Sequence, residues 1–205
     1  MLRVTELVNR IWSYSPLDFE KWLDEVNAER PNKKPLTPEQ IEKWSSKFGT
    51  AMHKWCLEGK APKNPTKNMY LCYNYWIKFK EDTGIKFLTT ERKVMYEELY
   101  HGTLDAIVEW DGLIVLLDLK FWKCWYWVFL KEKIPTELKM NSTKLAKTNF
   151  QTYCYQQAQH DYEIDARCVV AIHPGGLQYK IFSRSPKVKF DEQISILKQK
   201  TANDF

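Results

Sequence analysis

The sequence predicts an α/β fold, with a central mixed β-sheet flanked by helices and an N-terminal helical region. Two observations lead to this prediction. Apolar and aromatic residues recur at steps of three and four through about residue 80, a spacing typical of amphipathic helices. After residue 85 the chain changes to short runs rich in β-branched and aromatic residues, bounded by Gly and Asp, which indicate strands.

We expect one domain over residues 1–205, with a mainly helical part at 1–84, an α/β core at 85–185 and a C-terminal helix or tail at 186–205. With 205 residues and 44% hydrophobic content, the chain is long enough for one well-packed core and too short for two large ones. Its net charge of +5 permits binding to a polyanion without requiring it.

Helix boundaries are marked by capping residues. Thr37-Pro38-Glu39-Gln40 is a capping box with proline at the first helical position. Asn64-Pro65-Thr66 starts another helix, which should run to about Asp82 and stop at Gly84. The remaining predicted elements are, in chain order, strands at 87–96, 103–110 and 113–121, a lysine-bearing loop at 131–149, a helix at about 150–162, strands at 166–172 and 177–182, and a last helix.

The second and third strands should form a hairpin that brings two carboxylates together. Asp111-Gly112 supplies the two positive-φ residues of a two-residue type I′ turn. That turn sets Asp105 opposite Asp118, with Cβ atoms about 5 Å apart, although a register shift of one residue would separate them. Like charges so placed repel each other, and a divalent cation bound by both would offset the repulsion.

Lys120 lies two residues beyond Asp118, so both side chains project from the same face of the strand. Two carboxylates, a lysine and a metal ion at the end of a strand are the parts needed to hydrolyse a phosphodiester, because the ion polarises the phosphate and acidifies a bound water. The alternative interpretation is a plain surface salt bridge between Asp118 and Lys120 where the strand meets solvent.

Four short motifs occur in a fixed order along residues 47–160. They are Gly49-Thr-Ala-Met-His53, Gly102-Thr-Leu-Asp105, Asp118-Leu-Lys120 and Gln151-Thr-Tyr-Cys-Tyr155. The set resembles the PD-(D/E)XK nuclease superfamily, in particular its RecB-like exonuclease branch, with its upstream histidine motif, its acidic and lysine active-site motifs and its downstream Gln-x-x-x-Tyr helix. The resemblance implies a restriction-endonuclease-like core.

The resemblance also implies roles for individual residues. Asp105 and Asp118 would be metal ligands, with the Leu119 carbonyl as a further ligand, and Lys120 would orient or activate the attacking water. His53 would lie near the metal or a substrate phosphate and share in catalysis. Two further implied roles concern the preceding strand, where Glu91 matches an acidic position of the branch, and the late helix, where Gln151 and Tyr155 would line the DNA path.

Residue patterns leave alternatives open at several of these positions. His53 sits on an apolar helical stripe, where a histidine often serves packing alone. Gln151 and Tyr155 are one helical turn apart, as ordinary residues of an amphipathic helix would also be. Glu97 and Glu98 compete with Glu91 for the acidic position.

An aromatic run directly after Lys120 suggests a way to hold nucleic acid. Trp122 and Trp125 could stack on unpaired bases, each for about 1–3 kcal/mol, while Lys123 and the lysines of the 131–147 loop contact phosphates. The same rings could equally pack into the core.

The cysteines indicate a reduced environment. All five lie far apart, without a CxxC pair, so we expect neither disulfides nor a zinc site. A related branch of the superfamily holds an iron–sulfur cluster with closely spaced cysteines after the core, and we predict no such cluster here. The N-terminal residues lack the apolar core of a signal peptide, and we expect a cytoplasmic protein with no membrane association, in the host cytoplasm if the chain is viral.

Taken together, the sequence predicts a Mg²⁺- or Mn²⁺-dependent deoxyribonuclease, an exonuclease acting on DNA ends or single strands in genome processing, recombination or repair. DNA is the expected partner, a recombination protein is a candidate second partner, and a viral or phage enzyme fits the size. The alternatives are a structure-selective endonuclease or nickase of the same superfamily and a DNA-binding module without catalysis. The sequence does not indicate an oligomeric state.

Overall fold

The structure is a computed structural model that describes residues 1–12, 20, 23–24, 27–28, 34–121 and 142–203 of the chain. Its helices α1 to α5 and strands β1 to β6 are, in chain order, β1 Leu2–Arg3, α1 Val4–Ile11, α2 Pro38–Glu58, α3 Lys67–Thr83, β2 Lys86–Tyr96, β3 Tyr100–Trp110, β4 Leu113–Phe121, α4 Ser142–Ala158, β5 Ala166–His173, β6 Gly176–Phe182 and α5 Lys187–Asn203. Within these ranges no helix combines the length and the apolar character needed to cross a bilayer.

All six strands belong to one mixed sheet with helices on both faces, which confirms the predicted α/β architecture. Hydrogen-bonded neighbours follow the order β1-β3-β4-β5-β6. β1 and β4 pair with one edge of β3, and β2 pairs with the opposite edge. β1 runs parallel to β3 and β4 runs parallel to β5, whereas the remaining pairs are antiparallel. Parallel neighbours need a crossover between them, and the chain from β4 to β5 contains α4.

The sheet separates two apolar cores. On one face, α2 and α3 cover the strands, and the largest buried side chain there is Trp76, whose indole N–H donates to the Cys56 carbonyl at 2.9 Å. On the other face, α1, α4 and α5 pack around Phe150 and Tyr100, and the Tyr100 hydroxyl donates to the Cys154 carbonyl at 2.9 Å. The polar groups of these two large buried side chains are therefore both hydrogen-bonded, as burial favours.

The predicted turn and strand register are confirmed. Asp111 and Gly112 have φ values of 50° and 78°, as a type I′ turn needs. The paired part of β3 and β4 runs from Trp110 opposite Leu113 to Ala106 opposite Leu117, the register that the turn predicted. The predicted caps are present as well, with Thr37 and Thr66 accepting N–H bonds in the first turns of α2 and α3.

Two sequence predictions were wrong. The segment 142–149 is not a loop, because α4 begins at Ser142, and the helix ends at Ala158 rather than near residue 162. Its first two turns are mostly polar, so apolar periodicity becomes visible only at Phe150. The chain start also contains a two-residue strand, Leu2–Arg3, in the part predicted as helical, and a strand so short has no readable alternation.

β1 and β4 pair with the same edge of β3, at opposite ends of that strand. Leu2 pairs with Tyr100 and Arg3 with His101, whereas pairing with β4 covers only 106–110. Residues 102–105 therefore lie in a gap along this edge. Gly102 lies in this gap and leaves room for the Tyr155 ring. A Cβ atom added at residue 102 would lie 2.6 Å from that ring.

We predict that Gly102→Ala destabilises the protein by about 1–3 kcal/mol, because the added methyl must displace the buried Tyr155 ring or the backbone of β3. Gly49→Ala, inside α2 and with open space around its Cβ position, is the matched control and should stabilise by about 0.5–1 kcal/mol. The urea-unfolding midpoints of the two variants measure the difference. Equal midpoints would contradict the close packing of Gly102 on Tyr155.

Candidate metal centre

Strand β3 changes face where it leaves its pairing with β4. Ala106 contributes to the core under α2 and α3, whereas Leu104, two residues away, contributes to the core on the other face. In a regular strand, residues two apart point to the same side. Asp105 lies between them, next to Ala106, which is the last residue of β3 that pairs with β4. Asp105 Oδ2 accepts the Leu119 N–H at 2.6 Å. The carboxylate thus takes a backbone donor of β4 at the point where the ladder ends.

Three side chains converge on the α2 side of this break. His53 Nδ1 lies 3.5 Å from Asp105 Oδ1 and 3.6 Å from Glu91 Oε1. Each of the three residues has one atom that could bind a metal ion, and these three atoms all lie within 4.8 Å of one another. The His53 ring also packs edge-on against Phe121, with ring centroids 5.6 Å apart. His53 therefore both packs and faces two carboxylates, so the two interpretations of this residue are compatible.

Glu91 reaches the group through an unusual backbone conformation. Its φ is 48°, a left-handed value that costs a non-glycine residue about 1–2 kcal/mol. Thr90 and Arg92 pair with β3 on either side of it, so Glu91 is the irregular position in the strand. Among the competing glutamates, Glu97 forms an ion pair with Lys198 at 2.6 Å, and Glu97 and Glu98 lie in the turn from β2 to β3. Of the three, the structure brings Glu91 to Asp105.

Buried Asp118 and half-buried Lys120 form an ion pair beside this group. Strand β4 alternates regularly, so both side chains share the face that Leu116 buries against α4. Lys120 Nζ donates to Asp118 Oδ1 at 2.9 Å and lies 2.9 Å from Oδ2 as well, though not in a hydrogen-bonding direction. Asp118 is only 1% exposed, and its Oδ2 receives no hydrogen bond from the described residues. The pair is therefore not a salt bridge between two solvent-exposed side chains, because Asp118 is buried and Lys120 is only about one quarter exposed.

Burial and neighbouring charges shift the proton affinities of these groups. Burial raises the pKa of Asp105 to about 6, with the imidazole of His53 opposing the rise and the Asp118 carboxylate adding to it. Burial lowers the pKa of His53, but Asp105 and Glu91 outweigh it and leave the pKa above its usual value. Burial likewise lowers the pKa of Lys120, and the carboxylates of Asp118 and Asp105 reverse this and raise it. Lys120 is therefore a fixed cation at neutral pH.

The donor set suits a divalent cation. Two carboxylates and an imidazole, from Asp105, Glu91 and His53, are within reach of one ion, whereas Asp118 lies outside this group of three and is paired with Lys120. Oxygen-rich sets favour Mg²⁺ and Mn²⁺, and the imidazole is a ligand that Mn²⁺ tolerates better than Mg²⁺. Cys56, Cys72, Cys154 and Cys168 are buried free thiols outside this group, and Cys124 is not among the described residues.

Gln151 and Tyr155 share one face of α4, as their spacing predicted. Gln151 Nε2 donates to the Tyr155 hydroxyl at 3.1 Å, and burial raises the pKa of Tyr155 to about 12, which the Gln151 bond partly offsets. Tyr155 packs against Gly102 at the gap in β3. The Leu119 carbonyl stays a predicted ligand. Trp122, Lys123 and Trp125 lie outside the described residues.

Two cavities flank the site, and both contain residues that sequence reasoning missed. A cavity of about 340 Å³ between α1 and α4 (cavity A) is lined by Thr5, Val8, Asn9, Lys120, Lys144, Lys147, Thr148 and Gln151. A cavity of about 680 Å³ at the gap in β3 (cavity B) is lined by Met1, Arg3, Val4, Thr5, Lys93, Val94, Met95, His101, Gly102, Thr103 and Tyr155. The signal that could have found Lys144 and Lys147 is their helical spacing with Gln151.

A scan against protein-family models and a search of curated proteins both found no match to this chain.

We predict that the metal-free protein loses stability as the pH rises from about 4 to 6. The unfolded chain releases the Asp105 proton near pH 4 and the folded protein near pH 6, so the folded state binds more protons in this window. Asp105→Asn keeps an oxygen for the Leu119 N–H and should therefore be more stable than the wild type by about 1–3 kcal/mol at pH 8 in EDTA.

The difference should vanish near pH 4, where the wild-type carboxyl is also neutral. Asp82→Asn, which alters an exposed carboxylate on α3, is the control and should change stability little at either pH. Urea unfolding in EDTA at pH 4 and pH 8 measures both variants. A lower stability of Asp105→Asn at pH 8 would show that the ionised carboxylate is stabilised without a metal.

Proposed function

We propose that this protein is a Mg²⁺- or Mn²⁺-dependent deoxyribonuclease that acts on DNA ends or single strands. The observation that carries the proposal is the convergence of His53, Glu91 and Asp105 within 4.8 Å, beside the ion pair of Asp118 and Lys120. These residues come from four separate elements and meet where the strand ladder breaks. Burying the Asp105 and Asp118 carboxylates, with half-buried Glu91 beside them, costs stability, and such an arrangement persists when it serves a site.

The residues divide the work of phosphodiester hydrolysis among them. Asp105, Glu91 and His53 would hold a divalent cation, with Asp118 as a proposed fourth ligand, and the ion would supply a Lewis acid for the phosphate and acidify a bound water. Lys120, kept cationic by Asp118, offers positive charge to a phosphate oxygen and to the negative charge that develops during attack. The Leu119 N–H fixes Asp105, so the carboxylate keeps its orientation before substrate arrives.

The surroundings of the site suit a polyanion. Cavities A and B share Thr5, and Lys120 of cavity A contacts Asp118. The described residues that line the two cavities include Arg3, Lys93, Lys120, Lys144 and Lys147 but no carboxylate. A groove whose charged lining residues are all cations attracts the phosphates of a nucleic acid.

The mixed sheet with its paired strand-end carboxylates also supports a restriction-endonuclease-like core and placement in the RecB-like exonuclease branch. This assignment rests on the ordered motifs from His53 to Tyr155 and on their meeting in space. We further propose cytoplasmic action in genome processing, recombination or repair, with a recombination protein as a second partner and a viral or phage origin.

We predict that Asp118→Asn and Lys120→Gln each lower the cleavage rate at least 100-fold, because one loses a metal ligand and the other the charge that faces the phosphate. Cleavage of labelled linear DNA is measured with Mg²⁺, Mn²⁺ or EDTA. The exposed pair Lys78 and Asp82 on α3, 3.1 Å apart, offers matched controls, and Lys78→Gln and Asp82→Asn should cleave like the wild type. Cleavage in EDTA, or full activity of Asp118→Asn, would refute the mechanism.

We predict that closed circular DNA survives conditions that degrade linear DNA, because an exonuclease must start at an end. The two substrates, of the same sequence, are incubated with the wild-type protein and Mn²⁺ and compared on a gel. Nicking or linearisation of the circle would instead assign the structure-selective endonuclease activity to the same metal centre.

A further inference from the structure

Cavity A is built from two helices and the end of one strand. Thr5, Val8 and Asn9 of α1 face it at helical spacing, and Lys144, Lys147, Thr148 and Gln151 of α4 face it from the other side. Lys120 at the end of β4 closes the third side, so the cavity opens next to the candidate metal centre. Three lysines line the cavity, of which Lys120 is paired with Asp118, and the polar groups of Thr5, Asn9, Thr148 and Gln151 line it with them.

The cations of cavity A are partly desolvated rather than extended into water. Lys144 and Lys147 are half-buried, and Thr148 between the helices is buried. Burial lowers the pKa of Lys147. A bound anion would reverse that cost, because an opposite charge nearby favours the ammonium form.

The geometry of α4 joins cavity A to the rest of the site. Lys144, Lys147, Gln151 and Tyr155 follow one another at steps of three and four, so they form one stripe along the helix. Gln151 lines cavity A, Tyr155 lines cavity B, and the two side chains are hydrogen-bonded to each other. A nucleic-acid strand that follows this stripe passes from cavity A, which Lys120 also lines, towards cavity B.

We propose that cavity A is a phosphate subsite, which holds a phosphate of the nucleic-acid strand next to the one that is cleaved. The occupant is either a terminal phosphomonoester or an internal phosphodiester, and both offer the anionic oxygens that lysine, threonine and asparagine groups bind. This inference rests on the proposed nuclease function and adds four residues to it: Thr5, Asn9, Lys144 and Lys147. By fixing the neighbouring phosphate, the subsite sets which bond lies over the metal.

The test compares a Lys144→Gln/Lys147→Gln double variant with Lys78→Gln, which removes a lysine from α3 on the opposite face of the sheet. Binding of a short fluorescent single strand is measured in EDTA at several salt concentrations. The double variant should bind at least tenfold more weakly, and its plot of log Kd against log salt should be flatter by about one to two. Lys78→Gln should match the wild type.

Asn9→Asp and Asn9→Ala give a second test that does not depend on the lysines. Asn9 is exposed, so neither change threatens folding. Asn9→Asp places a carboxylate in cavity A and should weaken strand binding several-fold, whereas Asn9→Ala should have a smaller effect. Unchanged affinity and salt slope in both the double variant and Asn9→Asp would overturn the proposal.

Strand ends identify which phosphate occupies the cavity. Oligonucleotides with a 5′-phosphate, with a 3′-phosphate, with hydroxyl ends and as a circle are compared. If the double variant loses affinity only for the strand with one kind of phosphorylated end, cavity A holds a terminal phosphomonoester. If it loses affinity equally for all four oligonucleotides, cavity A holds an internal phosphodiester.

Failure of the subsite can be told apart from failure of the nuclease function. If the wild type cleaves no nucleic acid with Mn²⁺, the proposed function falls, and cavity A is then tested alone by calorimetric titration with inorganic pyrophosphate. Binding that the double variant loses supports an anion subsite, and equal or absent binding in both proteins overturns it. If the wild type cleaves and the double variant retains full affinity, only the subsite falls.

Discussion

The buried carboxylate of Asp105 is the constraint on which the site depends. It lies where β3 ends its pairing with β4 and changes from one face of the sheet to the other. Its two oxygens have separate partners, the Leu119 N–H on one side and His53 on the other. A carboxylate held this way cannot rotate without giving up a partner, and it therefore fixes the distance between the two halves of the site.

Around Asp105 the structure balances charge in two ways. Asp118 is neutralised by Lys120 within one strand, where a side-chain step of two residues brings the groups together. Asp105 and Glu91 have the His53 imidazole between them, and burial raises the pKa of Asp105. Without a cation, the negative charges of Asp105 and Glu91 are therefore not fully offset by neighbouring positive charge. This imbalance favours metal binding at these residues.

The path for a substrate follows from packing as much as from charge. Gly102 lets the Tyr155 ring approach β3, and this contact draws α4 against the gap between β1 and β4. The lysines in the first turns of α4 are thereby carried next to Lys120. The first turns of α4, for which the sequence pattern predicts a loop, contain Lys144 and Lys147, which line cavity A.

The sequence by itself determined the hairpin register, the helix caps and the pairing of Asp118 with Lys120, because these depend on residues close together in the chain. It also indicated Asp105 and His53, through motif spacing and resemblance. Only the tertiary structure decided that Glu91, rather than Glu97 or Glu98, joins them, and that Thr5, Asn9, Lys144 and Lys147 share a cavity. Those choices depend on the pairing of β2 with β3, which sets Glu91 across from Asp105, and on the packing of α1 against α4, and neither is encoded in local periodicity.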